Sequence, residues 1–148
     1  MTTLDDFAAL AARDHGLVVV TTQRADHTMQ ASVVNAGVLE HPRTGQRVLG
    51  LVARSDSLKI KHVRVRPRVT VVARASWEWA AVEGDADVIG PDDPAPGIDA
   101  EELRVLLRAV FVAAGGAHDD WPTYDRVMAE ERRAALFVTP RRVYSNGS

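Results

Sequence analysis

The sequence has 148 residues, of which 46% are hydrophobic and 26% are charged, and its formal net charge at pH 7 is −2. This composition excludes a disordered chain and predicts one globular domain over residues 1–148. The absence of cysteine excludes disulfide bonds, thiolate metal sites and a cysteine nucleophile.

Three further function classes are disfavoured by the sequence. No apolar run approaches the ~20 residues of a membrane span, so no membrane partner is expected. No signal peptide is visible at the N-terminus, which predicts a cytoplasmic protein. The basic residues form one cluster beside many acidic ones, so no nucleic-acid partner is expected either.

The first third of the chain alternates apolar segments with polar turns. Leu4–Ala12 carries apolar residues at helical spacing and is followed by Gly16 as a stop signal, which predicts a helix. Three strands are then predicted, at Leu17–Thr22, at Met29–Leu39 with Gly37 as a possible bulge, and at Arg47–Ala53.

The segment Ser57–Arg68 is the most informative stretch of the sequence. It concentrates the basic side chains of Lys59, Lys61, Arg64, Arg66 and Arg68. Such a cluster is either a solvated charged face or a phosphate cradle, because Lys and Arg donate charge-assisted hydrogen bonds to phosphate oxygens. The alternation slightly favours a strand, whereas a capping residue at position 56 or 57 and the proline at 67 favour a short helix.

The second half contains three more strands and two helices. The strands are predicted at Val69–Ala73, at Trp77–Ile89, and at Ala135–Tyr144 with a break at Pro140. The helices are predicted at Asp99–Ala114 and after the capping residue Asp120. Six strands with interspersed and late helices indicate an α+β domain built on a small barrel.

Several catalytic motifs are absent. The five histidines form no closely spaced metal pair, and there is no HExxH, G-x-S-x-G, Walker A or G-x-G-x-x-G motif. We therefore expect no metal site and assign no catalytic residue. If the protein is an enzyme, a bound organic cofactor carries the reaction.

An ordered set of motifs resembles one known family. Ser57-Leu58-Lys59 and the continuation Arg66-Pro67-Arg68-Val69 are similar to the pyridoxamine 5′-phosphate oxidase-like split β-barrels. Within that family the chain looks most like the actinobacterial branch that uses coenzyme F420. The residues that carry this second likeness are Trp77–Gly84, His118–Tyr124, Glu131-Arg132-Arg133 and Val143-Tyr144.

The resemblance implies a fold and a function. The fold would be a six-stranded antiparallel split β-barrel of the FMN-binding type with flanking helices, in which the basic segment is a short helix. The function would be that of an F420-dependent oxidoreductase that transfers a hydride between the deazaflavin and an unsaturated, quinone-like or tetrapyrrole small molecule. The alternatives are an FMN-dependent, pyridoxamine-phosphate-oxidase-like enzyme and a non-catalytic F420-binding carrier.

The resemblance also suggests where the cofactor binds. Lys59 and Ser57 would hold the phosphate, and Arg64 would reach the anionic tail. The main chain around Val52, Ala53 and Ser55 would read the rim of the ring. The remaining candidates for cofactor contact are Gln30, Ser32, Asn35, Trp77 and Trp79.

Each of these roles has a structural alternative. Lys59 and Arg64 could be solvated surface residues, and the polar residues of Met29–Leu39 could form the solvent face of a strand. Trp77 and Trp79 share a strand face by period two, and could pack in the core or at a dimer interface instead of lining the site.

Two departures from the family bear on the choice of cofactor. Leu58 replaces a frequent arginine, and Asn35 stands near where flavin-binding relatives often place a lysine. Both disfavour ordinary FMN. The resemblance further implies a homodimer, with the cofactor at a two-fold interface.

Overall fold

The computed structural model describes residues 1–147, in which four helices and seven strands are found. The helices are α1 (Leu4–Ala12), α2 (Leu58–Val65), α3 (Ala100–Ala113) and α4 (Trp121–Glu130). The strands are β1 (Leu17–Gln23), β2 (Met29–Asn35), β3 (Gly37–Glu40), β4 (Arg47–Arg54), β5 (Arg68–Ala75), β6 (Glu78–Ile89) and β7 (Arg133–Ser145). All seven strands join one antiparallel sheet in the order β2-β1-β5-β6-β7-β4-β3.

The sheet departs from the predicted six-stranded barrel in two respects. It has seven strands because the predicted strand Met29–Leu39 is divided at Ala36, and it is not closed by hydrogen bonds. The two halves of that segment lie at opposite edges of the sheet although one residue separates them. The sheet must therefore curve until its edges meet at Ala36, where the Ala36 N–H donates to the carbonyl of Gly16 at 3.0 Å.

Close packing fixes the start of β3. A Cβ atom on Gly37 would lie 1.9 Å from the carbonyl oxygen of Ala113, so only glycine lets the strand approach the end of α3. The predicted bulge at Gly37 is therefore wrong. The chain instead leaves β2, which pairs with β1, and begins β3, which pairs with β4. A real bulge occurs instead between β6 and β7, where Gly84 lies opposite Pro140 and the register shifts. This irregularity lets β7 continue through a residue that has no N–H to donate.

Two apolar clusters stabilise the fold. The larger one fills the inside of the curved sheet, where α1 contributes Phe7 and Leu10 and α2 contributes Ile60 and Val63. The second lies on the outer face of β4 and β7, beneath α3. Within residues 1–147, no helix is long and apolar enough to cross a membrane.

The helices follow from local signals and from burial. Helix α1 has the predicted bounds and begins with a capping box between Thr3 and Asp6. Helix α2 confirms the helical reading of the basic segment, because Ile60 and Val63 are spaced three apart and both are buried. Helices α3 and α4 are capped by Asp99 and Asp120, whose side chains accept N–H groups of the first turn.

Candidate functional site

Helix α2 begins immediately after β4 with an unused polar group. Ser57 is its N-cap, but the side chain makes no capping hydrogen bond. The Ser57 hydroxyl oxygen is buried and has no partner among the described residues. The first-turn N–H groups of a helix also lack intrahelical acceptors. This end of α2 therefore offers a hydroxyl and backbone donors to an anion.

Lys59 lies in the same turn, beside a second cation. It is half-buried, and burial together with the charge of Arg133 lowers the pKa of Lys59 below its ordinary value of 10.5. No carboxylate among residues 1–147 forms an ion pair with Lys59. Lys61 is exposed and, two residues further along α2, lies on a different side of the helix from Lys59. A lysine without an ion-pair partner, beside a second cation in a partly desolvated place, is a candidate for binding an anion.

Arg133 is the residue of this site that the sequence reasoning did not assign. Its side chain is only 29% exposed, and its Nε group donates to Glu131 at 3.0 Å. Neither Nη group has a hydrogen-bond partner among the described residues. Arg133 reaches Lys59 because β7 pairs with β4, which places it opposite Arg54. The motif Glu131-Arg132-Arg133 contributes to the family resemblance, but the sequence does not indicate that Arg133 lies near Lys59. Only the pairing of β7 with β4 shows this.

An open strand edge lies next to this cation pair. β3 pairs with β4 only as far as Gly50, so the segment from Leu51 to Arg54 has a neighbour on one side only, β7. In an antiparallel ladder, alternate residues point their N–H and C=O groups toward the unpaired side. β2 lies near β4 without pairing to it. We call the region between these two strands the β2–β4 slot.

Gln30 contributes a second unsatisfied polar atom on β2. Its Oε1 atom is buried without a partner among residues 1–147. Gln30 lies opposite Thr22, whose hydroxyl contacts Nδ1 of His62 on α2 at 2.9 Å. Gln30 is thereby placed next to the helix that carries Ser57 and Lys59. Buried polar atoms without partners are uncommon and mark places where a ligand can bind.

The other polar candidates of β2 divide between its two faces. Ser32 is half-buried and shares the inward face with Gln30, opposite the buried Val20. Asn35 has the opposite parity, is exposed, and donates from Nδ2 to the carbonyl oxygen of His15 at 2.8 Å. The structure therefore brings Gln30 and Ser32 together and turns Asn35 away from them.

The β4 candidates can serve a ligand only through their main chain. The Val52 side chain packs against the cluster beneath α3, and Ala53 belongs to the inner core. Ser55 is buried, and both its N–H and its hydroxyl donate to the carbonyl oxygen of Arg132, at 3.0 and 2.7 Å. These two bonds hold the backbone of Arg132, the residue before Arg133. Ser55 therefore has a structural role, which is to fix the position of Arg133 relative to Lys59.

Arg64 is already paired inside the protein. Its Nε and Nη2 groups donate to the two carboxylate oxygens of Asp93, at 2.9 and 2.6 Å. This bidentate contact raises the pKa of Arg64 and joins α2 to the loop after β6. In this arrangement Arg64 has little capacity left for the tail of a cofactor.

The two tryptophans lie far from Lys59 within one chain. Trp77 precedes β6 in the turn after β5 and is 89% exposed, so it does not share a strand face with Trp79 as predicted. Trp79 is 38% exposed and packs edge-on against Tyr144, with ring centroids 6.0 Å apart. The 12-residue strand β6 spans about 36 Å, and its far end, Ile89, lies beside the β7 segment that pairs with Val52.

The donor set fits an anionic, flat cofactor. Lys59, Arg133, the Ser57 hydroxyl and the start of α2 suit a phosphate. The open edge of β4 and the amide of Gln30 suit the hydrogen-bonding rim of a planar ring. The two buried oxygen atoms without partners among residues 1–147 leave hydrogen-bonding capacity for polar groups of such a ligand.

Comparisons with known proteins place the fold. No protein-family model and no curated protein sequence matches the chain. A conserved hypothetical protein of Mycobacterium tuberculosis is similar in structure, with a TM-score of 0.68, 17% identity, and coverage of 98% of this chain and 84% of the other. A pyridoxamine 5′-phosphate oxidase-related, FMN binding protein of Nostoc punctiforme gives a TM-score of 0.63 at 12% identity, covering 98% and 86% of the two chains.

A protein described as an F420 reductase also matches. Its TM-score is 0.58 at 14% identity, over 86% of this chain and 88% of the other. At these identities the likeness concerns the fold alone. The chain has the fold of the pyridoxamine 5′-phosphate oxidase-like FMN-binding proteins, as the sequence motifs predicted.

Proposed function

We propose that this protein is an F420-dependent oxidoreductase that acts on an unsaturated, quinone-like or tetrapyrrole small molecule. The observation that supports the proposal is the start of α2, where Lys59 lies beside Arg133 without an ion-pair partner among residues 1–147 and the buried Ser57 hydroxyl has no partner there either. Proteins of this fold include one described as an F420 reductase. Coenzyme F420, when bound, supplies hydride-transfer chemistry.

The residues of the slot would bind and orient the cofactor. Lys59 and Arg133 neutralise the phosphate, and the Ser57 hydroxyl donates to one of its oxygens. The exposed main chain of Leu51–Arg54 holds the rim of the ring in one plane. The apolar core behind Ala53 excludes water from the inner side of the ring.

The choice of F420 over FMN rests on three features. Leu58 is 53% exposed at the start of α2, so the phosphate site lacks the additional donor that an arginine would supply there. Asn35 faces away from the slot, so it does not replace the lysine that flavin-binding relatives place beside the ring. Arg54 and Arg132 lie in exposed ion pairs near the slot, and an anionic cofactor tail can exchange into such pairs.

We also propose a homodimer. The outer face of β1 and β2 exposes Val19, Met29 and Val33, at 37%, 51% and 64%, and none of the four helices covers it. Exposed apolar patches of this kind mark interaction surfaces. Trp79 lies about 33 Å along β6 from Ile89, the end of the strand that lies beside β7 near Val52, so a second copy would be needed to bring Trp77 and Trp79 to a cofactor.

Titration calorimetry with F420 and with FMN tests the cofactor. Tighter binding of F420 supports the proposal, and tighter binding of FMN favours an FMN-dependent enzyme of the pyridoxamine-phosphate-oxidase type. Turnover of reduced F420 with a panel of enones, quinones and tetrapyrroles then tests the activity. F420 binding without turnover of any of these compounds would identify a non-catalytic carrier.

A further inference from the structure

A second cavity lies on the other side of Arg133, between α3, α4 and the loop after β6. Its volume is about 340 Å³, equal to roughly eleven molecules of liquid water. Leu103 and Leu107 of α3 and Met128 of α4 form apolar walls. It shares Arg133 with the β2–β4 slot, but Gln30, Ser57 and Lys59 do not line it.

The interior of this cavity has no free polar group to offer. Tyr124 lines it, but its hydroxyl donates to the carbonyl oxygen of Leu107 at 3.1 Å. Burial raises the pKa of Tyr124 to about 12, so the hydroxyl stays protonated and keeps this bond. Tyr124 therefore presents only its aromatic ring to the cavity. The part of a ligand that lies inside must be apolar.

One arginine at the rim keeps free donors. Arg104, Arg132 and Arg133 line the cavity together with Asp125. Each of the three arginines is in an ion pair, Arg104 with Asp125 at 2.9 Å, Arg132 with Asp92, and Arg133 with Glu131 through Nε at 3.0 Å. Arg133 alone keeps both Nη groups without a partner among residues 1–147, and a guanidinium with two free N–H groups binds a carboxylate in bidentate fashion.

We propose that this cavity binds a small apolar monocarboxylate of about a dozen non-hydrogen atoms, with its hydrocarbon body between α3 and α4 and its carboxylate on Arg133. Because Arg133 also belongs to the proposed phosphate site, the test uses the 148-residue protein without cofactor, in which both Nη groups of Arg133 are available. Failure to bind the monocarboxylate would leave the F420 proposal untouched, since that proposal also depends on Lys59, Ser57 and Gln30.

Calorimetry with three probes of equal chain length tests the chemistry. Decanoate, 1-decanol and decylammonium share their hydrocarbon body and differ in charge. We expect decanoate to bind at least about tenfold more tightly than the other two, because a hydrogen bond to a charged group contributes that much. Equal binding of all three probes would overturn the proposal.

Two variants with matched controls test the location. Ala129→Phe fills the cavity from an exposed position of α4, and should weaken decanoate binding at least about tenfold, whereas Ala109→Phe on α3 lies outside the lining and should not. Arg133→Gln should reduce decanoate to the affinity of decanol, and Arg126→Gln should not. Parent-like decanoate binding by Ala129→Phe, or a retained preference for decanoate in Arg133→Gln, would refute the assignment.

Discussion

Replacing Lys59 by alanine should weaken cofactor binding without harming the fold. A hydrogen bond to a charged group contributes about 1.5–3 kcal/mol. Lys59 is half-buried, so salt screens it less than it would an exposed lysine, and the upper part of that range applies. We expect a loss of about 2–3 kcal/mol, or roughly 30- to 150-fold in Kd, and not a complete loss of binding, because Arg133 remains to hold the phosphate.

Calorimetric titration of F420 at two salt concentrations measures this effect. Lys61→Ala is the control, because Lys61 is exposed and lies on a different side of α2 from Lys59. Binding to the parent should weaken with salt, and the difference between parent and Lys59→Ala should shrink. If Lys61→Ala lost more affinity than Lys59→Ala, the phosphate would lie elsewhere on α2.

The protonation of Lys59 should make F420 binding depend on pH. Its pKa lies below 10.5, mainly because burial disfavours the charged ammonium group and then because Arg133 repels it. F420 affinity should therefore fall with rising pH before an ordinary lysine would titrate, and Lys59→Ala should abolish that step. A parent and a variant with identical alkaline profiles would contradict this assignment.

The lowered pKa also predicts the sign of a stability change. The unfolded chain holds the proton of Lys59 more tightly, so the charge destabilises the cofactor-free fold below that pKa, and the penalty disappears as pH rises toward 10.5. Lys59→Met should consequently raise the Tm of the cofactor-free protein at pH 7 while weakening F420 binding. If Lys59 had only a structural role, the Lys59→Met substitution would lower the Tm instead.

Three further substitutions test the interface, the helix cap and the strand break. Val33→Arg should convert the dimer into a monomer in light scattering, whereas Val105→Arg, at an exposed position of α3, should not. Ser57→Ala should leave the urea midpoint nearly unchanged, because the hydroxyl makes no capping bond, yet should weaken F420 binding severalfold. Gly37→Val should lower the free energy of unfolding by more than about 3 kcal/mol, because its Cβ would overlap the backbone of Ala113.

Local signals predicted those elements whose ends are fixed by their own side chains. Helix α1 has its predicted bounds because its cap and its apolar spacing lie within a dozen residues. The alternation of the basic segment favoured a strand, but tertiary burial of Ile60 and Val63 selects a helix. The family resemblance gave the right answer there, where local periodicity did not.

The candidate site was only partly accessible from the sequence. Ser57 and Lys59 could be found because they are close together in the chain and have the chemistry of a phosphate site. Arg133 could not be assigned, because its proximity to Lys59 depends on the pairing of β7 with β4. The sequence alone could have shown that Asn35 and Gln30 lie on opposite faces of β2. Residues that are an odd number of positions apart on one strand point to opposite faces of the sheet.

The break at Ala36 explains both why six strands were predicted instead of seven and why part of β4 has an unpaired edge. Had Met29–Leu39 been a single strand, the register of β3 on β4 would have continued and placed Asn35 opposite Val52. That pairing would have consumed the main-chain groups of Leu51–Arg54. Because the chain changes partners at Ala36, β2 pairs with β1 instead, and β4 beyond Gly50 keeps an unpaired edge on that side. The break that makes the sheet an open seven-stranded one therefore also leaves free the main-chain groups that we propose hold the cofactor ring.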